Sequence, residues 1–307
     1  MALHHLNPVP VTVTDVFSRD LPPVLTVAPG DTVIVRSLDA SGYLTRQRHP
    51  GDRPATMRPG ARGHCLTGPI EVTRADTSMT LAVTLVSVQP DDWGWTVAAA
   101  GDNPLAQRLG VGGGPPSWLL WSLDPTTRTG TNDRGLTVDL APFLGVIGLP
   151  PTEHGEHSTI PPRSAGGGNI DCRELVEGST LYLPVTVPGA MLCLGDGHAA
   201  QGDGEVGGTA IECPMTTEVH LDLVPDPPIS GIHALTPRGK ITFGFSPDLN
   251  EATAAALDSM LAWMQVLFGV DKSTALALAS AVVDMHVTQI ANKVWGVHAL
   301  LPEGALR

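Results

Sequence analysis

Up to Phe245 the apolar residues come in short β-branched runs bounded by Pro, Gly or Asp, the pattern of strands separated by tight turns. It predicts strands at Val9 to Thr14, Val24 to Val27, Thr32 to Ser37 and Met79 to Val88. More follow at Thr180 to Val187, Ala190 to Leu194, Thr209 to Cys213, Glu218 to Val224 and Ile241 to Phe245. From Asn250 the period changes. Leu257, Met260, Leu261, Met264, Leu267 and Phe268 recur at spacings of three and four, one apolar stripe of an amphipathic helix ended near Gly269. Asp271 is placed to cap a second helix reaching about Ala281, because its carboxylate can accept the free amide hydrogens of a first turn.

Strands first and helices last predict a mainly β protein with a C-terminal α+β part: β-sandwich or barrel-like modules with two or so helices near the C-terminus. The turn and strand of Pro29 to Val35 recur at Glu177 to Leu183 and more loosely at Asp76 to Val83. Either a duplicated β module or chance similarity of short units produces such a pattern. Gly112 to Ser117 and Pro150 to Gly168 are Gly- and Pro-rich, and segments as long as the second are functional or linking. The expected division is an N-terminal β-rich part, residues 1–150, and a C-terminal α+β part, residues 151–307, packed as one compact unit.

Composition narrows the function. With 34 Gly and 28 Pro in 307 residues the chain is no helical bundle, and with 42% apolar against 16% charged residues it is not disordered. Eighteen Lys and Arg against 31 Asp and Glu give a net charge of -13, which repels phosphate backbones and anionic headgroups, so neither nucleic acid nor a membrane is expected as a partner. Asp258, Asp271, Lys272 and Asp284 break the apolar C-terminal stretch below the ~18 residues of a spanning helix. Met1 to His5 lacks the succession of a secretion signal, and the reading is cytoplasmic. Cys65, Cys172, Cys193 and Cys213 show no C-x-x-C spacing and read as reduced, mostly buried thiols. Apolar helix faces leave room for a homo-oligomer, a dimer or larger.

Chemistry concentrates in Gly195-Asp196-Gly197-His198 and Gly202-Asp203-Gly204-Glu205. Asp, His, Asp and Glu within ten residues, spaced by glycines, offer oxygen and imidazole donors on a backbone free to converge. If the strand from Ala190 continues, Asp196 and His198 face one side of the sheet, a geometry that suits a shared metal. The alternative is a solvated surface turn. An EF-hand fits poorly, since the twelfth loop position is Gly207 and not Glu. A second group holds His154, Glu156, His157 and, past three glycines, Asn169 and Asp171, the last an added oxygen ligand. His154 and His157 could equally be solvated, and His64 stands alone. No G-x-S-x-G elbow is present, and Asp171 beside Cys172 would blunt a thiolate.

These blocks carry a resemblance. His157-Ser158-Thr159-Ile160-Pro161-Pro162-Arg163, Gly167-Gly168-Asn169-Ile170-Asp171 and the run from Gly195 to Glu205 resemble, in order and spacing, the acetamidase/formamidase family. Further echoes are Gly63-His64 with Thr67-Gly68-Pro69, Trp93-Gly94-Trp95, and Val287 to Asn292 leading to Gly296-Val297. The resemblance implies a metal-dependent hydrolase that converts small amides such as formamide or acetamide to carboxylate and ammonia, on a mostly β fold. It implies Asp171, Asp196 and His198 as ligands of a divalent cation, zinc before calcium, with Glu205, or less well Asp203, as general base. His64 and His157 would be further ligands or oxyanion donors. The convergence of these segments rests on the resemblance and not on spacing. A related hydrolase of a cyclic amide and a noncatalytic calcium-binding β-protein are the competing readings. The Arg- and Pro-rich segment Tyr43 to Arg62 departs from the family pattern and leaves substrate size and identity open.

Overall fold

A computed structural model describes residues 1–99 and 104–307. Alternation builds the first sheet: Asp31–Ser37 and Met215–Val224 bury every second residue, so one face of each must meet a core. Nine strands join it, in the order Leu3–Leu6, Asp31–Ser37, Met215–Val224, Thr80–Pro90, Thr180–Pro184, His233–Thr236, Gly239–Ser246, Trp295–Pro302 and Asp284–Gln289. The second sheet has eleven strands. Its main path runs Thr137–Asp139, Thr129–Asn132, Ser117–Asp124, Trp93–Ala98, Glu212–Cys213, Leu192–His198, Phe143–Gly148 and Gly167–Asn169. Leu66–Val72 pairs with Leu192–His198, Val13–Thr14 and Leu25–Val27. Both sheets draw on both halves of the chain; Thr80–Pro90 lies between Met215–Val224 and Thr180–Pro184. Val33, Leu81, Val83, Leu85 and Val219 of the first sheet meet Ile70, Leu144, Ile147, Leu192 and Leu194 of the second in one core, so the protein is a β-sandwich with helices.

Leu192–His198 and Phe143–Gly148 are buried along their whole length, covered on both faces. Any polar side chain on them is therefore cut off from water, and this is where the site lies.

Several strands are longer, shorter or additional to those the pattern predicts. Leu66–Val72, Trp93–Ala98 and Phe143–Gly148 contain Gly68-Pro69, Gly94 and Gly145, which read locally as turns, whereas pairing on both sides overrides that preference. Val9 to Thr12 turns instead of extending, with the Thr12 hydroxyl donating to the Asn7 carbonyl at 2.6 Å. The helices are not last. Leu249–Phe268 and Lys272–Val282 form an excursion between Gly239–Ser246 and Asp284–Gln289, after which Trp295–Pro302 returns to pair with Gly239–Ser246. A third, short helix is Pro104–Arg108.

Asp248 caps the long helix, accepting from Asn250 and Glu251, and Gly269 ends it in a left-handed conformation, φ 64°. Asp271 caps the next through the Thr274 amide at 2.9 Å. Ala252, Ala256, Met260 and Met264 pack on Val297, Ala299 and Leu301. Gly244 permits this contact, since a Cβ there would run into the Ala252 carbonyl. The buried stripe stops at Met264: Leu267 and Phe268, expected to continue it, are each 40% exposed. The four cysteines are free and buried. Among the described residues no single helix is long and apolar enough to cross a membrane.

At the other edge, Asp31 ties the N-terminal strand to its neighbour. Its carboxylate accepts the Ala2 amide at 2.7 Å, the His4 ring at 3.0 Å and the Ala28 amide at 3.0 Å, and these bonds bring its pKa down to about 2. A depressed carboxylate stabilises the fold above its unfolded pKa, and this contribution fades as pH falls through the folded value. Asp31→Asn is therefore expected to lower the thermal midpoint at pH 6, the gap to the parent closing between about pH 4 and pH 2. A gap that stays constant over this range would show that the charge is immaterial.

Candidate metal centre and active site

The strand Leu192–His198 does run on past Leu194, and it carries Asp196 and His198 into the interior. Asp171 arrives from the loop after Gly167–Asn169, where its amide donates to the Gly145 carbonyl at 3.1 Å. Glu212 comes from the short strand whose residues Glu212 and Cys213 pair with His198 and Gly197. Glu205 is delivered by a loop tethered at two points: the Gly204 amide donates to the Thr288 carbonyl at 3.0 Å, and the Ile290 amide to the Gly204 carbonyl at 2.8 Å. Asp203 beside it bonds the His286 ring at 2.9 Å and does not line the cavity. Thus the run from Val287 to Asn292 holds the Glu205 loop, and Ala291 and Asn292 add to the cavity wall.

His198 Nε2 lies 3.5 Å from Asp196 Oδ2 and 3.3 Å from Glu212 Oε2, and the Phe143 ring meets the imidazole edge-on. Among the described residues three groups each bring their donor atoms within 4.8 Å of one another: Asp171, His198 and Glu205, and Asp196, His198 and Glu212, both at this centre, and Asp203, His286 and His298 outside the cavity. His64 faces the same pocket with Nε2 3.9 Å from Asp196 Oδ2. The buried Thr159 hydroxyl accepts the His64 amide at 2.8 Å and sits 3.1 Å from its Nδ1, which orients the ring. His64, Asp171, Asp196, Glu205 and Glu212 bound a cavity of about 140 Å³, with Ala40, Ile160, Asn169 and Thr209 among its walls and His198 behind the carboxylates. That is room for roughly four waters or one small amide.

His157 is not among the residues lining this cavity; its ring donates to the Glu153 carbonyl at 3.2 Å, in a two-residue strand paired with Val16–Phe17. His154 bonds Asp20 on the surface. The motif around His157 serves through its neighbours: Thr159 holds His64, and the Ile160 carbonyl accepts from Asn169 Nδ2 at 2.8 Å. Sequence reasoning missed Glu212. Its signal was a lone carboxylate in the otherwise apolar or neutral strand Thr209 to Cys213.

Charge in this cavity is unbalanced. Burial pushes Asp171, Glu205 and Glu212 above the ordinary carboxylate range, and mutual repulsion adds to it. Asp196 is held below that range against its burial, by His64 and His198. Burial alone would lower His198, yet the Glu212 and Asp196 carboxylates hold it well above its usual value. Four buried carboxylates against two imidazoles call for a further positive charge. Asp171 Oδ2, Glu212 Oε2 and both ring nitrogens of His198 are buried without a hydrogen-bond partner. Such orphaned atoms, of imidazole and carboxylate type, fit a divalent cation. Asp171, Asp196 and Glu205 also have left-handed backbones, φ 52°, 60° and 43°, a conformation that costs about 1–3 kcal/mol each and that clusters at functional sites.

The fold and site thus define a β-sandwich protein with a buried, acidic, metal-competent centre. The chain belongs to the acetamidase/formamidase family, whose family model matches residues 10–156 and 152–302. An acetamidase structure from Bacillus halodurans is similar, with TM-score 0.86 and 26% identity over 97% of each chain. A Delftia acidovorans gamma lactamase shares the fold, with TM-score 0.64 at 20% identity over 97% of this chain and 92% of its own. A Schizosaccharomyces pombe protein whose name proposes formamidase activity is 27% identical over 61% of this chain and 58% of its own length. The match thus spans little more than half of that relative.

Proposed function

We propose that this protein hydrolyses the carbon–nitrogen bond of carboxamides, releasing ammonia, with a divalent cation at the buried centre. The supporting observation is the convergence of Asp171, Asp196, Glu205 and Glu212 on one small cavity and around His198, with unpartnered donor atoms, in a member of this family. Asp171, Asp196 and His198 are the assigned ligands, and an imidazole among them favours zinc over calcium. Such a cation, when bound, polarises a carbonyl and brings the pKa of water toward ~7. Glu205 accepts the proton of the attacking water and passes it to the departing nitrogen, as the carbon–oxygen bond forms and the carbon–nitrogen bond breaks. His64, oriented by Thr159, donates to the carbonyl oxygen as negative charge builds there. Four reduced, buried thiols favour a cytoplasmic setting, and the uncovered apolar tip of the long helix favours self-association.

The test combines elemental analysis with ammonia release from formamide, acetamide and larger amides before and after chelation. Near-stoichiometric zinc and chelator-sensitive release are expected. Glu205→Gln should keep the metal and lower kcat by ~10²-fold or more, within the range of general-base loss. Metal-free protein with full activity would remove the mechanism, and metal lost along with the Glu205 carboxylate would make that residue a ligand instead.

A further inference from the structure

A second chamber of about 560 Å³ adjoins the catalytic cavity and shares Ala40, His64 and Ile160 with it. The inner cavity accommodates little beyond the reacting amide, whereas the outer one has the volume of sites that hold larger organic ligands. Its wall is unusual for this chain. With only two tyrosines and six tryptophans in 307 residues, Tyr43, Trp95 and Trp118 gather here. Tyr43 and Trp95 meet edge to face at 6.2 Å, and Trp95 and Trp118 are tilted by 46° with centroids 5.5 Å apart. The buried Asp39 carboxylate fixes the group, accepting from the Tyr43 amide at 3.1 Å and from Trp95 Nε1 at 3.4 Å. The buried Tyr43 and Trp95 are thus held in place before any ligand arrives, with the half-buried Trp118 packed on Trp95.

The same chamber is cationic in a protein of net charge -13. Arg46, Arg48, Arg53, Arg58 and Arg62, five of the chain's 18 basic residues, fall in the segment Tyr43 to Arg62, with Asp52 its one acid. Arg53, Arg58 and Arg62 line the chamber. Arg58 is paired with Asp15 at 3.1 Å and Arg62 with Glu156 at 2.6 Å. Arg53 makes no ion pair among the described residues and is exposed at the chamber wall. A guanidinium without a partner beside a rigid aromatic wall recognises a planar anion on an aromatic stem, and local positive potential on an acidic protein draws such a ligand in.

We infer that the outer chamber is a substrate subsite, and that the enzyme prefers carboxamides whose acyl group carries an aromatic ring ending in a carboxylate. The amide occupies the inner cavity, the ring lies on the Trp95–Trp118 wall, and Arg53 holds the distal carboxylate. This rests on the amide-hydrolase reading above.

The experiment measures kcat/KM for acetamide, phenylacetamide and para-carboxyphenylacetamide, and separately the binding of the corresponding diacid, para-carboxyphenylacetate, by tryptophan fluorescence. The anionic aryl amide is expected to exceed the neutral one by about tenfold, the worth of one charge-assisted hydrogen bond. Arg53→Gln should bring that ratio to about one, with the change in KM, and should weaken diacid binding by a similar factor. Trp118→Ala should depress both aryl amides relative to acetamide. Equal rates for the two aryl amides, or a ratio that survives Arg53→Gln, would overturn the subsite while leaving amide hydrolysis standing. Arg53-dependent diacid binding with no ammonia from any amide would uphold the chamber and remove the hydrolase reading. Neither binding nor turnover would remove both.

Discussion

His198→Ala is expected to abolish ammonia release, by ~10³-fold or more, and to empty the centre of metal while the β-sandwich persists. His198 belongs to both donor sets at the centre, and neither of its ring nitrogens has a hydrogen-bond partner. Its imidazole also lies against the Asp196 and Glu212 carboxylates, 3.5 and 3.3 Å from Nε2, so removing it takes a positive partner from two buried acids. The thermal midpoint should therefore fall as well. Metal content, circular dichroism and ammonia release measured on one preparation separate these effects. An undiminished rate, or full metal with no rate, would sink the ligand assignment.

Gly145→Ala should produce nearly the same loss from a residue with no chemistry of its own. A Cβ at Gly145 would stand 2.5 Å from Asp196 Oδ2, 2.6 Å from Asp171 Oδ1 and 2.7 Å from His198 Cε1, between the two donor sets that share His198. The Gly145 carbonyl also accepts the Ile170 and Asp171 amides at 3.0 and 3.1 Å, so the strand cannot simply retreat. Overpacking of this kind costs about 1–3 kcal/mol. The expected outcome is a folded protein with a lowered thermal midpoint, metal well below stoichiometric and turnover down by ~10³-fold. Stoichiometric metal and parental kcat/KM in the G145A protein would show that the donors do not converge as described.

The residues that converge were only partly legible in the chain. Asp196 and His198 were found because a period of two along one strand is enough to place them on one face. Asp171 and Glu205 were found through motif order, since no local rule says that the loop after Gly167–Asn169 and the loop tethered to Thr288 end at the same point. Glu212 was missed although Thr209 to Cys213 read as a strand, because a single carboxylate in a short strand does not tell which segments its side chain will meet. His157 was singled out for its imidazole, although the motif contributes Thr159 and Ile160 to the site. Likewise Gly145 and Gly68-Pro69 read as breaks within strands that pairing on both sides makes continuous.

By itself the sequence determined the β-rich class, the two helices near the C-terminus with the Gly269 end of the first and the Asp271 cap of the second, the net acidic charge and the type of donor present, because these depend on residue composition and on periods within a few residues. Tertiary structure alone decided that the helices interrupt a sheet, that four buried carboxylates share one cavity with His64 and lie against His198, and that an aromatic, arginine-lined chamber adjoins it. The physical reason is range. Strand alternation and helix caps are settled by neighbours in sequence, whereas burial, repulsion between carboxylates and the shape of a cavity arise only from segments brought together across the fold.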